Sequence, residues 1–308
     1  MKILLFGKDG QVGWELQRSL APLGDVVVLG SADGAPLSGD FRKPESLAAT
    51  VRAVAPQLIV NAAAYTAVDR AEAEPDLARL VNATAVGALA RAAKAANAWL
   101  VHYSSDYVFD GSGQAPWSEL DVPEPLGVYG RSKLEGEELL RQSGCRHLLF
   151  RTSWVYSARG ANFARTMLRL ARERDALRVV DDQIGAPTGA ELLADITAHA
   201  CRRAMLDPSV NGTYHAVAAG ATSWHGYARH LIDVARRHGA AIRVADGAIE
   251  PVASDAYPQA ARRPLNSRLD TTRLRTVFDL ALPPWQAGVD RVVSEWTRDP
   301  QSATRPPA

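Results

Sequence analysis

Cysteine is nearly absent. Cys145 and Cys201 are the only two in 308 residues, far apart and without a CxxC pair or a cysteine–histidine cluster. That argues against a disulfide framework or a zinc site and leaves two ordinary thiols. Net charge is also missing: 35 Lys plus Arg stand against 34 Asp plus Glu, leaving +1. A nucleic-acid or polyanion binder carries a clustered basic excess, so no such partner is expected. No apolar run approaches the ~18 residues of a membrane span. The Ala-rich stretch from Ala83 to Trp99 is broken by Arg91 and Lys94, and the N-terminal run Ile3 to Phe6 is too short for a signal peptide. A cytoplasmic protein with no membrane partner is the expectation. Lysine itself is scarce, five against thirty arginines, so the position of each lysine is informative.

What is there looks globular: 47% hydrophobic and 22% charged residues are ordinary values. The length suits one large or two coupled domains. Short β-branched or Leu-rich runs at Lys2 to Phe6, Val26 to Leu29, Leu58 to Val60, Trp99 to Tyr103 and His147 to Arg151 read as strands buried on both faces. Between them, Gln11 to Leu20, Pro44 to Val54, Pro75 to Ala96 and Val128 to Gln142 carry the helical period, with Pro44 and Pro75 placed for first turns. This alternation predicts an α/β fold with a doubly wound parallel sheet of the Rossmann type. After Arg151 the rhythm loosens into helical stretches separated by Pro, Gly and Asp, which predicts a smaller C-terminal substrate lobe. We expect a dinucleotide-binding domain over 1–153 with a return near 182–220, a mainly substrate-binding lobe over 154–298, and a frayed polar tail over 299–308.

The first strand runs directly into Gly7, Gly10 and Gly13, which open the next helix. A loop without side chains lets backbone N–H groups and the helix N-terminus approach a pyrophosphate, so a dinucleotide belongs here. An NAD-specific site usually ends its second strand with Asp or Glu to bind the ribose 2′-OH. Here Gly30 and Ser31 stand at that place, which tilts the expectation toward NADPH, with NADH the alternative; Lys8 is the cation available for a 2′-phosphate. Asp40 and Phe41 are candidates for the adenine pocket, against a plain helix-preceding Asp cap.

Tyr129 and Lys133 lie four apart at the start of a predicted helix and so share a face. A phenol with an ordinary pKa near 10 is a poor acid–base group at pH 7, and lowering it by ~2 to 3 units takes roughly 3 to 4 kcal/mol, which a neighbouring ammonium can supply in large part. The fourth strand ends in Tyr103, Ser104, Ser105 and Asp106, at the sheet edge where doubly wound folds place ligands. A Ser105 hydroxyl there can donate to a substrate carbonyl while Tyr129 transfers a proton.

The ordered set of glycine loop, SSDYVFDG (Ser104 to Gly111) and YGRSK resembles the extended short-chain dehydrogenase/reductases. The stretches FGKDGQVGWELQ, VNAAAYTAVDRAE, FRTSWVY, DDQIGAPTGAELLAD and RRPLNSRLD narrow the resemblance, over nearly the whole chain, to the dTDP-4-dehydrorhamnose reductase family. That resemblance implies reduction of the 4-keto group of a dTDP-linked 4-keto-6-deoxy sugar. It implies that Gly10, Gln11 and Val12 hold the cofactor pyrophosphate, that Asp40 and Phe41 lie at the adenosine end, and that Ala64, Tyr65, Thr66 and Tyr103 lie along the middle and nicotinamide side. By the same resemblance Ser105 and Asp106 meet the sugar, Tyr129 donates the proton, Lys133 tunes it and clamps the nicotinamide ribose, and Trp154 lies against the sugar ring. Members often carry Thr where this chain has Ser105. Some bind Mg²⁺ at a homodimer interface through carboxylates matching Glu15 and Glu191, which read equally as solvated helix-face glutamates. Arg262 and Arg263 suit a diphosphate and equally a surface pair. Two rival readings remain: a sugar-nucleotide dehydratase or epimerase of the same superfamily, the dehydratase disfavoured because Tyr107 rather than Glu follows Asp106, and a regulatory or scaffold subunit without turnover, disfavoured by the intact Ser105, Tyr129 and Lys133.

Overall fold

A computed structural model describes residues 1–34, 36–257 and 259–298; the tail expected to fray, 299–308, lies outside the described residues. The first half alternates as β1 (Lys2–Phe6), α1 (Gln11–Leu20), β2 (Asp25–Leu29), α2 (Pro44–Val54), β3 (Leu58–Asn61), α3 (Val68–Ala73), α4 (Pro75–Arg79), α5 (Ala85–Ala95), β4 (Trp99–Ser105), α6 (Val128–Gln142) and β5 (His147–Thr152). The second half continues with β6 (Val155–Tyr156), α7 (Phe163–Glu173), β7 (Leu177–Val180), β8 (Ile184–Gly185), β9 (Thr188–Gly189) and α8 (Ala190–Leu206). It closes with β10 (Gly212–His215), β11 (Thr222–Ser223), α9 (Trp224–Arg237), β12 (Ile249–Val252), α10 (Thr272–Phe278) and α11 (Trp285–Arg298).

Six strands form one parallel sheet in the order β10-β5-β4-β3-β1-β2. Ile3, Leu4, Leu5 and Phe6 are all fully buried, as an apolar strand covered on both faces must be. One face packs Leu16 and Leu20 of α1 and Leu193 and Ile196 of α8 over the sheet. The other packs Leu47 and Val51 of α2, Val86 and Leu89 of α5 and Leu140 of α6. This is the doubly wound arrangement the strand–helix alternation predicts. From β1 the chain moves one way to β2 and the other way to β3, so the crevice between the carboxyl ends of β1 and β3 is the natural ligand seat. A second cluster, with Tyr156, Tyr227, Trp285 and Trp296 at its heart, joins α7, α9 and α11 beyond that edge. β10 returns from this region to the far side of the sheet beside β5.

The single helix that periodicity predicts over Pro75 to Ala96 is interrupted. Leu80–Thr84 adopts π-helical geometry between α4 and α5. The cause is Asn82, which the bulge turns inward. Its Oδ1 accepts the Tyr65 amide at 2.9 Å, while its Nδ2 donates to the Tyr65 carbonyl and to Ser132 Oγ, both at 3.0 Å. Single-turn π-bulges of this kind recur at functional sites. Gly136 permits the contact, since a Cβ there would lie 2.1 Å from the Asn82 carbonyl oxygen.

Helix α6 is pinned to the sheet by a buried ion pair. Glu137 receives Arg151 of β5 through two hydrogen bonds, at 3.0 and 2.7 Å, and both side chains are almost wholly inaccessible. The Arg151 guanidinium holds the Glu137 carboxyl below its usual value despite the burial. Removing one partner leaves the other charge stranded. Glu137→Gln should therefore lower unfolding stability by about 3 to 5 kcal/mol in a urea titration, and the double change Glu137→Met with Arg151→Met should recover much of that loss.

Candidate active site

The glycine loop is built by close approach. Gly7 adopts a φ of +85°, and a Cβ on it would lie 2.6 Å from the main chain at Ala62 and Ala63. A Cβ on Gly13 would lie 1.9 Å from the Gly7 oxygen. With both glycines bare, α1 starts directly over the β1–β3 crevice. Gly10 precedes it without a side-chain cap, and the Trp14 amide is the one that bonds back to the Gly10 carbonyl. The amides of Gln11, Val12 and Gly13 are therefore the helix's free donors, aimed at an anion. These residues fit a dinucleotide pyrophosphate. Gln11 does more than its amide: its Oε1 accepts Asn162 Nδ2 at 3.0 Å and Ser157 Oγ at 3.2 Å, tying the cofactor loop to the second lobe.

On the adjacent edge, β4 ends in Ser105, whose hydroxyl donates to Asp106 Oδ1 at 3.0 Å and accepts the Tyr107 amide at 3.1 Å. Asp106 is buried, and among the described residues its Oδ2 makes no hydrogen bond of regular geometry. Burial pushes its carboxyl up to about 6, with the Ser267 and Ser105 hydroxyls pulling the other way. Helix α6 brings Tyr129 to the same spot, its ring edge-on to Tyr107 at 5.6 Å between centroids. Lys133, one turn on, is buried and donates to the Tyr103 carbonyl at 2.6 Å. Burial lowers its ammonium to about 8, with Glu137 opposing. The entry of α6 is set by Glu72, whose Oε1 accepts the Val128 amide at 2.8 Å.

The tuning expected from the sequence takes a different form. Burial, not Lys133, dominates the Tyr129 phenol, pushing it up to about 12; the Ser105 hydroxyl opposes this and the Asp106 charge reinforces it. The Lys133 ammonium is spent on the Tyr103 carbonyl instead. A phenol held neutral at pH 7 is the correct form for a proton donor, so the arrangement suits reduction of a ketone.

The structure gives the other residues named from the sequence these surroundings. Tyr103 turns its hydroxyl into the core, 2.6 Å from Thr197 on α8, and offers the site only its carbonyl. Phe41 is a core residue, edge-on to Phe6 at 5.5 Å. The Asp40 carboxylate is occupied by Arg42, through its Nε at 2.8 Å and Nη2 at 3.0 Å. Ala64, Tyr65 and Thr66 form the loop after β3, with the Tyr65 hydroxyl 2.6 Å from Glu74. Trp154 is held in a left-handed conformation, φ +49°, its ring stacked on Trp224 at 3.6 Å while Gly185 abuts it closely. The face stacked on Trp224 is closed to a sugar. Arg263 pairs with Asp69 at 2.6 Å and lies against the Tyr107 hydroxyl, and Arg262 is exposed. Asn82, Glu72, Tyr107 and Trp224 escaped the sequence reading, because each acts through a tertiary contact that no spacing announces.

Glu15 of α1 and Glu191 of α8 lie near enough for the Glu15 charge to reinforce the burial that raises the Glu191 carboxyl. Arg18 lies 3.7 Å from Glu15 and Arg291 lies 3.3 Å from Glu191. Among the described residues no group of three or more His, Cys, Asp or Glu is arranged to hold a metal ion. None of their helices is long and apolar enough to cross a membrane.

A parallel doubly wound sheet with a glycine-lined first turn, and Ser105, Tyr129 and Lys133 at its carboxyl edge, define an extended short-chain dehydrogenase/reductase. The RmlD substrate binding domain family matches residues 1–298. The dTDP-4-dehydrorhamnose reductase of Salmonella typhimurium is 55% identical over 295 residues, covering 96% of this chain and 98% of that one. The Burkholderia thailandensis reductase is 47% identical over 299 residues, covering 96% and 99%. The solved structure of the Bacillus anthracis dTDP-4-dehydrorhamnose reductase, in complex with NADP, superposes with a TM-score of 0.84 at 33% identity, covering 96% and 99% of the two chains. The chain belongs to the dTDP-4-dehydrorhamnose reductase family.

The raised carboxyl of Asp106 has a stability consequence. An acid whose folded value exceeds its unfolded one is destabilising once both states are charged, and the penalty disappears when both are protonated. Asp106→Asn should thus be more stable than the native chain at pH 7, by up to roughly 3 kcal/mol. That margin should shrink as pH falls through about 6 to below 4. Thermal melts across this range measure it, with no gain at pH 7 as the contrary result.

Proposed function

We propose that the chain reduces the 4-keto group of dTDP-6-deoxy-L-lyxo-4-hexulose to give dTDP-L-rhamnose, with NADPH as reductant and NADH as the alternative. The observation that carries the reading is the convergence of Ser105, Asp106 and Tyr129 beside the bare glycine loop. Gly7, Gly10, Gln11, Val12 and Gly13 would hold the pyrophosphate, with the loop Ala64 to Thr66 and the Lys133 ammonium toward the nicotinamide end. When bound, the reduced nicotinamide supplies the hydride that reaches the sugar C4.

The chain's own residues do the remainder. Ser105 orients the ketone oxygen by a hydrogen bond. Tyr129 protonates that oxygen as negative charge develops on it. Lys133, fixed by the Tyr103 carbonyl, keeps a positive charge near the phenol and lowers the cost of the phenolate left behind. Asp106 Oδ2 accepts a sugar hydroxyl, and Trp154 bounds the ring. The domain reading follows the same division: 1–153 with the return near 182–220 for the dinucleotide, 154–298 for the sugar nucleotide. At a homodimer interface Glu15 and Glu191 would supply carboxylate oxygens to a magnesium ion, with waters or groups of the second copy completing its six oxygen ligands.

Incubation with the dTDP-4-keto sugar and each reduced cofactor, with loss of nicotinamide absorbance and NMR of the product, tests the activity directly; no turnover with either cofactor would refute it. Tyr129→Phe should lower kcat by about 10² to 10⁴, and near-native turnover would remove Tyr129 from the donor role. Lys133 is charged only below about 8, so kcat should fall as pH rises through that value. Lys133→Met should abolish this limb, and an unchanged profile would contradict the electrostatic role.

A further inference from the structure

The acid that the end of β2 lacks is supplied from three residues further on. Asp33 turns back so that its Oδ2 accepts the Gly30 amide at 2.7 Å and the Lys8 ammonium at 2.5 Å. Gly30 makes room for this: a Cβ there would lie 2.1 Å from Asp9 Oδ2 and 3.3 Å from Lys8 Cε. A carboxylate thus stands where a strand-terminal Asp would meet an adenosine ribose, and it stands on the one lysine of the glycine loop. The other nearby cation, Arg42, is committed to Asp40 through two hydrogen bonds.

We propose that Asp33 and Lys8 form a displaceable ion pair that selects the cofactor at its adenosine end. With the pair closed, Asp33 accepts the ribose hydroxyls of NADH. With the pair open, Asp33 swings away and Lys8 takes the 2′-phosphate of NADPH.

Three features make the pair displaceable. Both side chains are about one-third exposed, so solvent screens their attraction and its rupture costs little. Asp33 belongs to a short turn whose backbone bond, from its own N–H to the Gly30 carbonyl, is long at 3.3 Å. Finally, Asp9 contributes a second carboxylate beside Lys8, so the closed pocket is net negative and repels a phosphate until Asp33 leaves.

The proposal rests on a nicotinamide dinucleotide lying across the glycine loop, and the experiment separates the two claims. Calorimetric Kd values for NADH and NADPH, and for AMP and 2′,5′-ADP as adenosine-end probes, are measured on the native chain, Asp33→Asn and Lys8→Met. Asp33→Asn should tighten NADPH and 2′,5′-ADP while weakening NADH, moving the preference by about tenfold or more. Lys8→Met should weaken the 2′-phosphorylated ligands by a similar factor and leave NADH within about twofold. If the native chain binds neither dinucleotide, the functional reading falls and the proposal with it. If both bind but neither variant changes the NADPH-to-NADH ratio, the ion pair has no selecting role and the functional reading stands. Equal weakening of all four ligands by Lys8→Met likewise overturns the selection.

Discussion

The contact of the Lys133 ammonium with the Tyr103 carbonyl is the constraint on which the site depends. It fixes helix α6 against the last turn of β4, and with it the distance between the phenol of one element and the hydroxyl of the other. A buried ammonium is expensive, and it persists here because a carbonyl accepts it at one side and Glu137 supplies opposite charge one turn further along. Glu137 is in turn held by Arg151 on β5. The chain from β5 through α6 to β4 is thus continuous, and each charge in it is offset in part by the next.

The glycine loop and the end of β4 lie at the same carboxyl edge of the sheet. The glycine loop offers three amides with no partner among the helix's own carbonyls, and the β4 edge offers a carboxylate oxygen with no regular hydrogen bond among the described residues. Both are unsatisfied groups that a water-soluble fold would ordinarily pair. Their coexistence at one edge of the sheet, with a phenol held neutral beside Ser105, is what distinguishes a site for ligand chemistry from a packing defect.

Much of this was legible from residue order. The strand–helix alternation is a direct consequence of apolar runs such as Ile3 to Phe6 buried on both faces, and the glycine spacing declares where α1 must begin. Tyr129 and Lys133 were legible because helical spacing places them on one face. What could not be read was which partner each side chain would find. Tyr103 points its hydroxyl into the core because α8 delivers Thr197 there, and Phe41 is drawn under the sheet by Phe6. Asn82 is turned inward by a π-bulge that periodicity smooths over. The sign of the Tyr129 shift was missed for the same reason: spacing gives proximity to a cation, whereas burial and the cation's other bond decide the electrostatics.

The Gln11 side chain bridges the first turn of α1 to Ser157 and Asn162, on the segment that leads from β6 into α7. Arg159, stacked over Trp14 at 3.9 Å, adds a second tie between the same two segments. A shift in the start of α1 therefore cannot leave the approach to α7 undisturbed, because both ties would strain together.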